Sequence, residues 1–167
     1  TAGNGNTYLY ATDPNTIYGS VQQCTLAANG GISSCTQTAS GIVYGTGLAM
    51  DAGYAYIGTF NGSSFIVDAC TYNNDGSISG CAPTGSGFNN PSFITVNNGY
   101  VYVVDEGNGK VSVCTVGTDG ALSSCPTSAL PGSTHDPNSV VFYDGDAYVD
   151  DDYGNLWLAL WTAALVR

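Results

Sequence analysis

Apolar and polar residues alternate with a period of two along short segments, and each segment stops at a cluster of Gly, Asn or Asp. The stretch from 92 to 125 is the clearest. Residues 92–96 predict a strand closed by Asn97-Asn98-Gly99, and residues 100–105 a second closed by Glu106-Gly107-Asn108-Gly109. A third covers residues 110–116, ends at Asp119-Gly120, and is followed by a fourth at residues 121–125. Parallel pairing would need long crossover segments, and none is present, so the strands are antiparallel.

The same unit recurs. Tyr10, Tyr56, Tyr102 and Tyr148 lie 46 residues apart, each between two apolar residues. Cysteines keep nearly the same beat as Cys24 and Cys35, Cys70 and Cys81, Cys114 and Cys125, each pair 11 positions apart. Each pair flanks a turn dipeptide symmetrically: Asn29-Gly30, Asp75-Gly76 and Asp119-Gly120. A two-residue turn at these dipeptides sets the paired cysteines directly opposite one another, within disulfide reach. Three intra-hairpin disulfides, 24–35, 70–81 and 114–125, are therefore expected, along with an oxidising compartment.

Four short strands per 46 residues is the size of a propeller blade. The segments Gly-Phe-Asn-Asn-Pro-Ser-Phe-Ile-Thr-Val (87–96), Gly-Tyr-Val-Tyr-Val-Val-Asp (99–105) and Lys-Val-Ser-Val-Cys (110–114) resemble bacterial secreted β-propeller repeats of the YVTN and NHL type, in a variety with two cysteines per repeat. The resemblance implies an all-β propeller of about four blades, and a secreted or cell-surface bacterial protein. It implies little about activity, because such repeats serve hydrolases, binding proteins and surface proteins alike. One domain over residues 1–167 is expected, with repeats near 1–36, 37–82, 83–126 and 127–167. The first and last blades are incomplete: the first repeat begins at its second strand, and the last stops before its fourth.

Composition narrows the partners. Two basic residues, Lys110 and Arg167, face thirteen acidic ones, for a net charge of −11. Such a surface repels nucleic acid. No apolar run is long enough to span a bilayer as a helix, so membrane insertion is not expected. The segment holding Leu156, Trp157, Leu158, Leu160, Trp161 and Leu165 is apolar enough to need covering, and reads as an assembly surface toward copies of the same chain.

Candidate chemistry is sparse. The single histidine, His135, stands beside Asp136 in a loop before an inner strand. Asp146, Asp150 and Asp152 belong to an acidic cluster, with Asp105 and Glu106 one repeat earlier; Ca²⁺ is the one ion such oxygen ligands suit, and no other cofactor is expected. Asn61-Gly62-Ser63 forms a glycosylation sequon in a predicted turn. Lactonases built on such repeats bind acidic sugars, and the scarcity of Lys and Arg argues against that activity. The leading expectation is an extracellular, non-enzymatic structural or adhesive module that self-assembles through its incomplete blades. A glycan- or Ca²⁺-binding propeller ranks second and a lactonase-like hydrolase third.

Overall fold

The computed structural model describes residues 5–13, 19–130 and 136–159. They form an all-β, propeller-like arrangement of four antiparallel sheets in chain order. The first sheet holds β1 (Tyr8–Thr12), β2 (Ser20–Leu26) and β3 (Ile32–Ser40). The second holds β4 (Leu48–Asp51), β5 (Tyr54–Phe60), β6 (Phe65–Tyr72) and β7 (Ile78–Thr84). In the third, β8 (Pro91–Asn97), β9 (Tyr100–Asp105) and β10 (Lys110–Val116) are followed by β11 (Leu122–Ser123) and β12 (Thr127–Ala129), both paired with β10. The fourth holds β13 (Pro137–Tyr143), β14 (Asp146–Asp151) and β15 (Leu156–Ala159). The expected fourth strand of the third repeat is thus split in two and runs further than residue 125.

One apolar cluster lies between each pair of neighbouring sheets. Val21, Ile42 and Ile57 join the first two, Tyr56, Val67 and Val101 the second and third, and Tyr102, Val113 and Val149 the third and fourth. β5 and β9 are buried on both faces, so their side chains supply alternate clusters: Ile57 points back and Tyr56 forward. Hydroxyls at the inner strands repeat a second link. Thr46 Oγ1 donates to the Pro91 carbonyl, and Ser92 Oγ donates to the Pro137 carbonyl at 3.4 Å, one repeat further on.

All three expected disulfides are present, joining Cys24 to Cys35, Cys70 to Cys81 and Cys114 to Cys125. They mark an oxidising environment. The turns differ from the expected two-residue type. Gly30, Gly76 and Gly120 donate to the carbonyls of Ala27, Asn73 and Gly117, three residues back, and each glycine has φ between 80° and 85°. The preceding Asn29, Asp75 and Asp119 have no positive φ; instead each side-chain oxygen accepts the N–H two residues on, at 2.9 to 3.1 Å. These are three-residue loops with glycine alone left-handed. They put the pairing one residue out beside the turn, as in Tyr72 with Ile78. A second irregularity before each outer cysteine restores it: Ala69 pairs with Ala82, and Cys24 faces Cys35. The two shifts cancel, which is why the symmetric spacing still located the disulfides.

Candidate functional site

Antiparallel pairing brings the end of each sheet's second strand beside the start of its first. The Phe60 N–H donates to Val43 in the second sheet, Glu106 to Asn90 in the third, and Asp152 to Asp136 in the fourth. Steps of 46 residues relate Phe60, Glu106 and Asp152, and likewise Tyr44, Asn90 and Asp136, although in the second sheet the bond falls one residue earlier, on Val43. The end of the sheets they share is aromatic in the second, an amide with a carboxylate in the third, and two carboxylates in the fourth.

The third sheet carries the most built arrangement. Asp105, fully buried, closes β9; its Oδ1 accepts the Asn89 N–H at 2.7 Å and its Oδ2 accepts Asn108 Nδ2 at 2.6 Å. Burial raises its carboxyl above the usual range against the pull of those donors and of Lys110. At a single 3-10 turn, Glu106–Asn108, the Gly107 N–H donates to the Asn89 carbonyl and Asn89 Nδ2 donates back to the Gly107 carbonyl. This frame holds half-buried Glu106, whose Oε2 accepts Asn90 Nδ2 at 3.1 Å. Burial, then the charges of Asp152 and Asp136 on the fourth sheet, push the Glu106 carboxyl up. A carboxylate with raised proton affinity, fixed by an amide, suits proton abstraction from water.

The fourth sheet treats its equivalent of Asp105 differently. Asp151 accepts N–H donors from Tyr153, Asn155 and the indole of Trp157. Burial opposes ionisation there, but those donors outweigh it and hold the carboxyl down at about 2.

The three aspartates singled out for Ca²⁺ are dispersed. Asp152 faces Glu106, Asp150 Oδ1 is taken by the backbone and hydroxyl of Ser139 at 2.8 and 2.6 Å, and Asp146 pairs with Tyr143 at the other end of β14. Among the described residues no three His, Cys, Asp or Glu side chains are grouped to hold a metal. Of the apolar segment, Leu156 and Leu158 are exposed, whereas Trp157 packs against the core between the third and fourth sheets. Leu160, Trp161, Leu165 and His135 lie outside the described residues. Asn90 and Tyr44 were missed in sequence; stepping 46 residues between Tyr44, Asn90 and Asp136 would have found them.

No family model matches the chain, and no curated protein matches it in sequence. Solved structures do. A Bacteroides fragilis protein assigned as a 6-phosphogluconolactonase superposes with a TM-score of 0.68 at 16 % identity, over 87 % of this chain and 45 % of its own. A gluconolactonase of Xanthomonas campestris gives 0.59 at 21 % identity, over 87 % and 46 %. A Lactobacillus plantarum protein gives 0.64 at 18 %, over 90 % and 51 %. The chain thus spans about half the length of each. At these identities the likeness shows the fold. It also runs against the leading functional expectation of a non-enzymatic, self-assembling adhesive module, because two of the proteins that share this arrangement of sheets are lactonases by name. No helix among the described residues is long and apolar enough to cross a membrane.

Proposed function

We propose that the chain is part of a lactonase-like hydrolase, acting outside the cytosol on an uncharged lactone ring. The observation that carries this reading is Glu106, half-buried, held by Asn90 and raised in proton affinity beside Asp136 and Asp152. In the proposed step Glu106 takes a proton from water as the water oxygen bonds to the ring carbonyl carbon. The tetrahedral intermediate collapses with cleavage of the bond from that carbon to the ring oxygen. The ring oxygen leaves as a hydroxyl, taking the proton back from Glu106. The product is a hydroxy acid, and its new carboxylate is repelled by Asp136 and Asp152, which favours release.

Net charge supports an uncharged substrate. With Lys110 and Arg167 the only basic residues, a phosphorylated sugar has little to bind it. The three disulfides support an exported protein, and the two-cysteine repeat supports the YVTN and NHL type of propeller.

The test is proton release on adding glucono-1,5-lactone, its 6-phosphate and an aryl ester, each corrected for spontaneous hydrolysis. Turnover of the uncharged lactone is expected, with a fall of about 100-fold or more in Glu106→Gln. No turnover above background for any of the three, or equal rates in the variant, would overturn the proposal.

A further inference from the structure

In the second sheet the equivalent positions bear no charge, and they stand beside the sequon Asn61-Gly62-Ser63. Asn61 Oδ1 accepts the N–H of Ser63 at 3.0 Å, its hydroxyl at 2.9 Å and the N–H of Ser64 at 3.0 Å. The side-chain oxygen is therefore fixed on the sequon hydroxyl, while the amide nitrogen takes no part in these bonds. Residues 61–64 are all exposed. Next to them is a cleft of about 410 Å³ lined by Gly41, Val43, Tyr44, Phe60, Asn61 and Gly62. Tyr44 meets Phe60 edge-on at 6.1 Å, and Phe60 lies 5.1 Å from Phe65. Tyr44 is 50 % exposed and has a φ of 49°, a left-handed backbone that a bulky residue seldom adopts, so the ring is presented to solvent at a conformational cost.

We propose that Asn61 is an N-glycosylation site and that the first sugar of the glycan lies in the Tyr44–Phe60 cleft. In the transfer, Asn61 Nδ2 bonds to the anomeric carbon of a polyprenyl-pyrophosphate-linked glycan. The bond from that carbon to the pyrophosphate oxygen breaks, the lipid pyrophosphate departs, and one Nδ2 proton passes to the transferase. The sugar is neutral, as an uncharged cleft requires. Its apolar C–H face covers the aromatic rings while its hydroxyls stay in water. An oxidising compartment, marked by the three disulfides, is also where such donors are used. Nothing in this proposal depends on the lactonase reading.

The experiment is secretion of the chain from yeast, with intact mass and Tm measured before and after peptide N-glycosidase treatment, which cleaves the bond from Asn61 to the first sugar and leaves Asp. One glycan is expected on the parent and on Ser63→Thr, and none on Asn61→Gln or Ser63→Ala. Deglycosylation should lower Tm of the parent and of Tyr44→Phe, but leave Tyr44→Ala unchanged, although that variant keeps the sequon and the glycan. Asn61 found unmodified before that treatment, or already carrying only the mass change of deamidation to Asp, would overturn the site. An equal Tm drop in Tyr44→Ala would overturn the placement of the sugar.

Discussion

Tyr56 Oη donates to the carbonyl of Gly120 at 3.1 Å, crossing from the second sheet to the outer turn of the third. Tyr10 makes the same contact one sheet earlier, donating to Gly76 at 2.6 Å. The acceptors are the left-handed glycines of the loops that the disulfides close. A second bond accompanies each. The Ile78 N–H donates to Thr38 Oγ1 and the Leu122 N–H to Thr84 Oγ1, both at 2.6 Å. The 46-residue repeat is therefore also a repeat of contacts between blades: tyrosine and threonine of one blade hold the turn of the next.

Tyr56→Phe keeps the buried ring and removes only the hydroxyl. A loss of about 1 kcal/mol is expected from the vacated carbonyl, read from the urea midpoint at unchanged slope. An unchanged midpoint would show that this contact between blades contributes nothing. Alkali offers a second reading. Burial, followed by the charges of Asp51, Tyr54 and Asp119, pushes the Tyr56 hydroxyl up to about 12. Its folded value lies above the ordinary 10.0, so its contribution to stability is complete below about pH 10 and is lost as pH climbs through about 12. Tyr56→Phe should flatten the stability profile in that window.

Gly120→Ala is expected to cost more than Tyr56→Phe. The φ of 80° costs an L-residue roughly 1–2 kcal/mol, and an added Cβ would stand 2.3 Å from the Tyr54 ring. Gly99→Ala separates the two causes, because Gly99 has a φ of 78° but open space around the added carbon. Equal losses in the two variants would show that the Tyr54 ring yields freely.

Much of the architecture was legible in sequence because both-sided burial and turn chemistry agree locally. β9 and β10 fall on the predicted residues, since valine runs stop at Asp105-Glu106-Gly107 and Gly117. The turn type was not legible, because Asn-Gly and Asp-Gly serve two-residue and three-residue loops equally. The choice rests on whether Asp75 itself turns left-handed or uses its carboxylate to accept the Ser77 N–H, and the structure takes the second. Asp105 and Glu106 stood out as acidic residues at a strand end. Their partners Asn89 and Asn90 did not, because antiparallel pairing brings them from 16 residues upstream. The candidate site was hidden for a different reason: burial and two acids on the next sheet, which push the Glu106 carboxyl up, leave no pattern in sequence.

Each disulfide closes a hairpin of 11-residue separation. Replacing Cys114 and Cys125 together by serine is expected to lower stability by about 3 kcal/mol on the chain-entropy account. The turn it closes also receives the Tyr56 hydroxyl, so the loss on Tyr56→Phe should shrink in the background that carries Cys114→Ser and Cys125→Ser. A double-mutant cycle in chemical denaturation measures that coupling; strict additivity would show that the bond and the blade contact act independently.

Asp151 gives an acid-side prediction of opposite sign. Burial pushes its carboxyl up, but the Trp157 indole, the Asn155 side chain and the backbone N–H groups of Asn155 and Tyr153 together hold it at about 2, against an ordinary 3.8. Because the folded value is the lower, ionised Asp151 favours the fold above about pH 4, and that contribution is lost as pH falls through about 2. Asp151→Asn presents an NH₂ group to these N–H donors and cannot ionise. It should be less stable than the parent at pH 7, with the gap narrowing steadily between pH 4 and 2 as the parent carboxylate is protonated. Urea midpoints for both proteins across that range isolate this residue from the remaining carboxylates, which titrate alike in the two. A gap that stays constant to pH 2 would show that the four donors hold the side chain in place without selecting its charged form.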